Sequence, residues 1–302
     1  MRAIRILSPA VVSIAVCLFP AAASAGLRVV ASTEDLASIA REIGGTLVEA
    51  ESIASGSTDP HFVELLPSYM VRVRKADVYV KVGMELDYWA QQIIDGSRNA
   101  KLTVVDCSTF LPTERRLEVP TRVDPSQGDV HKYGNPHYWL DPANGKEIAK
   151  AIAEGLRTAD PANAPAYDRN LAAFVERLDA KIAEWRKTAE RLKGLPIVTY
   201  HNSWPYFARA FGIDVVGWLE PKPGVKPSPG HVKELIDTIK ARKVALVAYE
   251  PYFESRTPTL LGRETGVPVL ALPPSVGGVP EVKDYIGLFD YNLTTLARVA
   301  RR

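Results

Sequence analysis

Three of the five histidines in this 302-residue chain stand just beyond a strand pattern or beside a helix start. They are His61 in Asp59-Pro60-His61, His137 in Gly134-Asn135-Pro136-His137-Tyr138-Trp139-Leu140-Asp141-Pro142, and His201 in Tyr200-His201. Pro136 breaks structure before His137 and Asp141-Pro142 starts a helix after it, so that imidazole sits on a constrained turn. The bland reading of any one of them is a half-buried loop histidine bonded to a backbone carbonyl. Taken together, three neutral imidazoles form a usual partial shell for Zn²⁺. The other two read differently. His131 falls in a proline-rich, mixed-charge stretch and is expected as a solvated loop residue. His231 begins a helix, where the dipole disfavours an imidazolium, and is expected at the surface.

The elements that must position these rings follow from hydrophobic periodicity. Residues 1–25 carry Arg2 and Arg5, then an apolar run ending in Ala23-Ser24-Ala25, the order of a secretory signal. This predicts an exported, periplasmic protein cut before Gly26. Cys17 lies inside the apolar run without the small residue a lipid-anchored leader needs before it, so a soluble product is expected. From residue 26 onward, short β-branched runs alternate with amphipathic ones: strands at 27–32, 47–53, 76–82 and 101–107, with helices at 34–43, 67–75 and 87–94 between them. Residues 109–136 interrupt this as a long surface loop. Asp141-Pro142 caps a helix at 143–158, and a second helical pattern runs over 164–192, on the order of 42 Å long at 1.5 Å per residue. The alternation then resumes, with strands at 196–200, 214–219, 244–249 and 267–272. The helix-then-strand of 71–82 is weakly echoed by 235–248.

These patterns predict an α/β protein of two lobes, each with a mostly parallel sheet flanked by helices, joined by one long rigid backbone helix. The expected division is 26–160 for the first lobe, 161–194 for the linking helix and 195–302 for the second. Ligands of such sheets collect beyond the carboxyl ends of the strands, so His61 and His137 from one lobe and His201 from the other would open on one cleft. The 37 basic and 35 acidic residues nearly cancel, and they balance once Arg2 and Arg5 are removed, which offers nothing to nucleic acid. With the leader gone, Cys107 alone remains, so no intramolecular disulfide forms; its strand-like setting marks it as a packed small hydrophobe. A monomer is expected.

Four motifs in register, Asp59-Pro60-His61, Asn135-Pro136-His137-Tyr138-Trp139-Leu140-Asp141, Tyr200-His201 with Tyr206-Phe207, and Ala248-Tyr249-Glu250-Pro251, resemble the periplasmic zinc/manganese-binding proteins of ABC importers, the TroA-like family. The resemblance covers essentially the whole mature chain. It implies a metal held between two lobes by His61, His137 and His201, and delivery to an inner-membrane ABC permease, with a metal-loading chaperone as a further candidate partner. Manganese-selective members tend to carry a carboxylate at the third position, so His201 tips this chain toward zinc, with manganese or iron the alternative cargo. The family's fourth ligand is usually an aspartate where this chain has Pro273-Pro274. Glu250, ending a second-lobe strand, is then the candidate by order and chemistry. Water is the other, with Glu250 serving as an acceptor that holds an imidazole tautomer. Residues 109–136 occupy the place of the family's histidine-rich loop and hold only His131. Asp59 and Glu64 are read as supporting or solvated carboxylates.

A zinc hydrolase is the reading from another class, since three histidines, a water and a glutamate also describe a catalytic site. The sequence has no His-Glu-x-x-His helix and no nucleophile elbow. The protein is therefore expected to bind and not to catalyse.

Overall fold

The computed structural model describes residues 26–121, 131–222 and 224–300, so the expected leader at 1–25 lies outside the described residues. The first lobe comprises β1 (Leu27–Thr33), α1 (Glu34–Gly44), β2 (Val48–Ala54), α2 (Pro67–Arg74), β3 (Val78–Lys81), α3 (Trp89–Ser97) and β4 (Thr103–Asp106). Two helices follow, α4 (Pro142–Ala159) and the 26-residue α5 (Ala164–Ala189). The second half holds β5 (Pro196–Thr199), α6 (Pro205–Phe211), β6 (Asp214–Trp218), α7 (Pro229–Ala241), β7 (Leu246–Tyr249), α8 (Arg256–Thr265), β8 (Val269–Ala271) and α9 (Tyr285–Val299).

Each half forms a four-stranded parallel sheet, ordered β2-β1-β3-β4 and β6-β5-β7-β8. The two orders are the same when each lobe is counted from its own first strand, which is the physical basis of the echo in the sequence. In both sheets the strand order reverses beside the first strand, and a crevice opens there at the carboxyl ends. Parallel strands are covered on both faces, which is why β1 reads as a nearly continuous apolar run whose last five residues are buried.

One apolar core runs from the inner face of the first sheet through α4 and α5 to α9 and the inner face of the second. Smaller clusters, around Tyr79 and Trp89 in one lobe and Leu235 and Leu261 in the other, fill the outer faces. The apolar stripe of α5, with Phe174, Leu178, Ile182 and Trp185 buried at spacings of three and four, packs against α1, α4 and α9. At 1.5 Å per residue this helix is about 39 Å long. Asp141 caps α4 by accepting from the Ala143 N–H at 2.9 Å, with Pro142 in the first turn.

The segment from Pro273 to Tyr285 stitches the second half to the first. The Trp139 indole N–H donates to Pro274 O at 2.9 Å, Val276 N–H donates to Asp35 Oδ1 at 3.0 Å, and Tyr285 N–H donates to Ser38 Oγ at 3.0 Å. Gly56 makes room for this: a Cβ there would meet Val276 O at 1.8 Å. Where the resemblance expects a ligand, the Pro274 carbonyl thus joins the two halves, while the Pro273 carbonyl accepts from Asn292 Nδ2 of α9 at 2.9 Å.

Asp35 is fully buried, and that burial outweighs its hydrogen bonds to Val276 and Ser275, pushing its carboxyl from 3.8 up to about 7. A proton is held more tightly in the folded chain than in the unfolded one. The corresponding stability is complete below about pH 4 and is lost as pH rises through about 7. Asp35→Asn keeps the acceptor for Val276 and abolishes the ionisation. Its expected effect is to flatten the decline of thermal stability between roughly pH 5 and 8, relieving up to about 4 kcal/mol at the alkaline end. Melting curves of both proteins across that range check this, and parallel declines would contradict it.

Candidate metal centre

The same local device builds both first-lobe histidines. Asp59 Oδ1 accepts from the His61 main-chain N–H at 3.0 Å and lies 2.8 Å from its ring Nδ1. Asn135 Oδ1 accepts from the His137 main-chain N–H at 3.0 Å and lies 2.9 Å from its Nδ1. In each Asx-Pro-His the first side chain closes a turn onto the third residue. The proline between has a fixed φ and no N–H to compete for that oxygen. Both rings are thereby set with Nδ1 satisfied and Nε2 left over.

His201 is held across two strands. Thr199 of β5 pairs with Trp218 of β6, so His201 and Glu220 each lie two residues beyond that pair. Glu220 Oε2 is 2.6 Å from His201 Nδ1. No sequence motif singles out Glu220. The equal offsets from the two strand ends are the signal that could have found it.

The three rings form a nearly equilateral triangle, with centroids 5.1 Å apart for His61–His137 and His61–His201 and 5.3 Å for His137–His201. Their ligating atoms all lie within 4.8 Å of one another. A tetrahedral Zn²⁺ with bonds of about 2.0–2.1 Å would draw three nitrogens to roughly 3.4 Å apart, a modest convergence. The Nε2 atoms of His61 and His137 are buried with no hydrogen-bond partner, a costly condition of about 1–3 kcal/mol each unless something ligates them. The mouth is a cleft of about 190 Å³ lined by Asp59, His61, Phe62, Tyr200, His201 and Glu220.

The charges around the triangle are arranged unequally. Burial drives the pKa of His137 well below 6.5, and the neighbouring histidines His61, His201 and His131 add to this, so it stays neutral. Burial also opposes a charge on His201, but the hydrogen bond to Glu220 and the charges of Glu250, Glu220 and Asp59 outweigh it and raise its pKa. For Asp59, burial is outweighed by the bond to His61 and its charge, which hold the carboxyl below 3.8. Asp59 supports His61, and Glu64 is exposed, as read from the sequence.

Glu250 follows β7 and is completely buried. Its Oε1 accepts from Ser203 Oγ at 2.8 Å and from the Trp204 indole N–H at 3.0 Å, while Oε2 has no partner. Burial raises its pKa to about 7 against the opposing influence of His201 and those two bonds. The structure brings His61, His137 and His201 together and leaves the Glu250 carboxylate outside that group of mutually close ligating atoms. His131 departs from its expected place in solvent. It is half-buried, and its ring centroid lies 5.5 Å from that of His61. His231 Nε2 donates to the Trp218 carbonyl, 2.9 Å away.

A family model described as "ZnuA: Zinc-uptake complex component A periplasmic" matches residues 29–299. The iron-binding protein YfeA of Yersinia pestis is 27% identical over 279 residues, covering 90% of this chain and 85% of YfeA. The manganese ABC transporter substrate-binding lipoprotein PsaA of Streptococcus anginosus is 27% identical over 283 residues, covering 90% and 88%. A crystal structure of ZnuA shares the fold with a TM-score of 0.79 at 26% identity, covering 91% of this chain and 99% of that one. The metals named for these relatives differ, while the family's members are substrate-binding transport proteins, not enzymes. With the match spanning both lobes and every site histidine, the chain belongs to the ZnuA family of metal-binding, ABC-transporter solute-binding proteins.

Proposed function

We propose that this protein captures Zn²⁺ outside the cytoplasmic membrane, in the periplasm, and delivers it to an ABC permease for uptake. The observation that carries the reading is the triangle of buried imidazoles, two of whose Nε2 atoms have no other partner. His61, His137 and His201 are the proposed ligands. Every Nδ1 in the set is engaged by Asp59, Asn135 or Glu220, the arrangement that fixes tautomer and ring orientation in metal sites. An all-nitrogen group favours zinc over manganese, which prefers carboxylate and carbonyl oxygens. Glu250 is the protein's candidate for the fourth position through its unpartnered Oε2, within electrostatic reach of His201. Water is the alternative, with Glu250 then contributing negative charge.

The test is metal content after dialysis of metal-free protein against equal concentrations of Zn²⁺, Mn²⁺ and Fe²⁺. One zinc per chain is expected, with the other two metals near background. Retention of manganese or iron in preference to zinc would overturn the choice of cargo. Zinc affinity of Glu250→Gln, measured against a competing chelator, addresses the fourth position: a loss of about two to three decades is expected of a direct ligand, and an unchanged affinity would assign that position to water.

A further inference from the structure

Among the three site histidines, His137 is the one whose Nδ1 faces an amide instead of a carboxylate. A carboxylate accepts from either oxygen, but an amide has an acceptor at one end and donors at the other, so it supports the ring only when held one way round. Here the Asn135 Nδ2 donates to Glu118 Oε2 at 3.0 Å and to the Asn202 carbonyl at 2.9 Å. Both are pure acceptors, which fixes the NH₂ end toward them and turns Oδ1 to His137. That oxygen requires a proton on Nδ1 and leaves the lone pair on Nε2, the atom that is buried without a partner.

The same Glu118 oxygen also accepts from Asn202 Nδ2 at 2.8 Å. Asn202 follows His201 directly, so one carboxylate oxygen grips the segments that carry a histidine from each lobe. The backbone around Glu118 is itself anchored across the lobes. Leu117 N–H donates to the Tyr206 hydroxyl at 3.0 Å, that hydroxyl donates to Asn135 O at 3.0 Å, and Asn135 N–H donates to Leu117 O at 2.8 Å. Glu118 holds a left-handed φ of 53°, a conformation uncommon for a residue with a side chain.

We propose that Glu118 is a positioning residue of the metal site. It locks the Asn135 amide, and through it the Nδ1-protonated tautomer of His137, while tying that ring to the His201 segment. Losing the carboxylate leaves the Asn202 carbonyl as the amide's remaining acceptor. The Asn202 carbonyl and the His137 main-chain N–H still favour the present orientation, but with one bond fewer a flipped amide gains population, and it favours the tautomer with the proton on Nε2, which cannot ligate through that atom. The inference rests on the metal reading above, but its first consequence is visible in metal-free protein.

The experiment compares wild type, Glu118→Ala and Glu118→Gln by imidazole ¹⁵N spectroscopy of the metal-free protein and by zinc titration. Wild type should show His137 with a protonated Nδ1 and a bare Nε2. In Glu118→Ala the His137 nitrogen shifts should move toward a mixture of tautomers, and zinc affinity should fall about 3- to 10-fold, below the 10- to 100-fold typical of a direct partner of a ligand. Glu118→Gln, whose amide oxygen can accept both bonds, should restore both readouts to within about twofold. Unchanged His137 shifts in Glu118→Ala would overturn the proposal, even if its melting temperature fell. A tautomer shift in a protein whose wild type binds no zinc would uphold the link from Glu118 to His137 and sink the metal reading, so the two fail separately.

Discussion

His137→Ala is expected to weaken zinc binding by about two to three decades. Four-ligand zinc sites gain an apparent 10–16 kcal/mol or so from metal, which apportions roughly 2.5–4 kcal/mol to each ligand, and about 1.4 kcal/mol is a decade. His137 should show the full loss. It is 2% exposed, so water reaches the vacated position poorly, and burial keeps the ring neutral with no proton to displace before metal arrives. The truncation also leaves Asn135 Oδ1 without its ring partner. Competition against a chromophoric zinc chelator measures the change. A loss of less than threefold would mean that His137 does not touch the metal.

Glu220→Gln is expected to lower zinc affinity by about 10- to 100-fold near pH 8, with a deficit that narrows as pH falls. A carboxylate on the far nitrogen of a ligating histidine raises its basicity and fixes its orientation, and removing such a partner costs about that much. The pH dependence follows from the direction of the shift. Despite burial, the Glu220 hydrogen bond and the surrounding carboxylates raise the pKa of His201 above 6.5, so a proton on that ring competes with metal up to a higher pH than it would on an ordinary imidazole. Affinity therefore falls about tenfold per pH unit below the His201 pKa and levels above it. With glutamine at 220 that pKa drops, the proton competes less, and the variant's curve should bend at lower pH than that of wild type. Zinc affinities measured over roughly pH 5.5 to 8.5 would show two curves converging toward acid. Parallel curves would remove Glu220 from the site.

The fold was legible because its signals are local. Each strand and helix expected from periodicity is present, with ends shifted by no more than three residues, and Asp141-Pro142 starts α4 where capping chemistry requires. The echo of helix and strand between the halves proved to be a shared sheet order. The histidine triangle was legible for a related reason: Asx-Pro-His is a self-contained turn that positions its ring from two residues away. The parts that were not legible depend on contacts far apart in sequence. Glu118 reaches Asn202 across 84 positions and Asp35 reaches Val276 across 241, and no periodicity announces such pairs. Glu220 needed the register between β5 and β6. His131 was read from the polarity of its neighbours, which says nothing about a ring that packs beside His61. Glu250 was placed correctly at a strand end, but its competition for Ser203 and Trp204 appears only once β7 is packed into the interior.

The most direct measurement is a crystal structure of the zinc-loaded protein with diffraction recorded on both sides of the zinc absorption edge. The predicted result is a single strong anomalous peak per chain between the lobes, about 2.0–2.1 Å from Nε2 of His61, His137 and His201. A peak elsewhere, or one at this cleft lacking any of the three imidazoles in its coordination shell, would contradict the site as assigned.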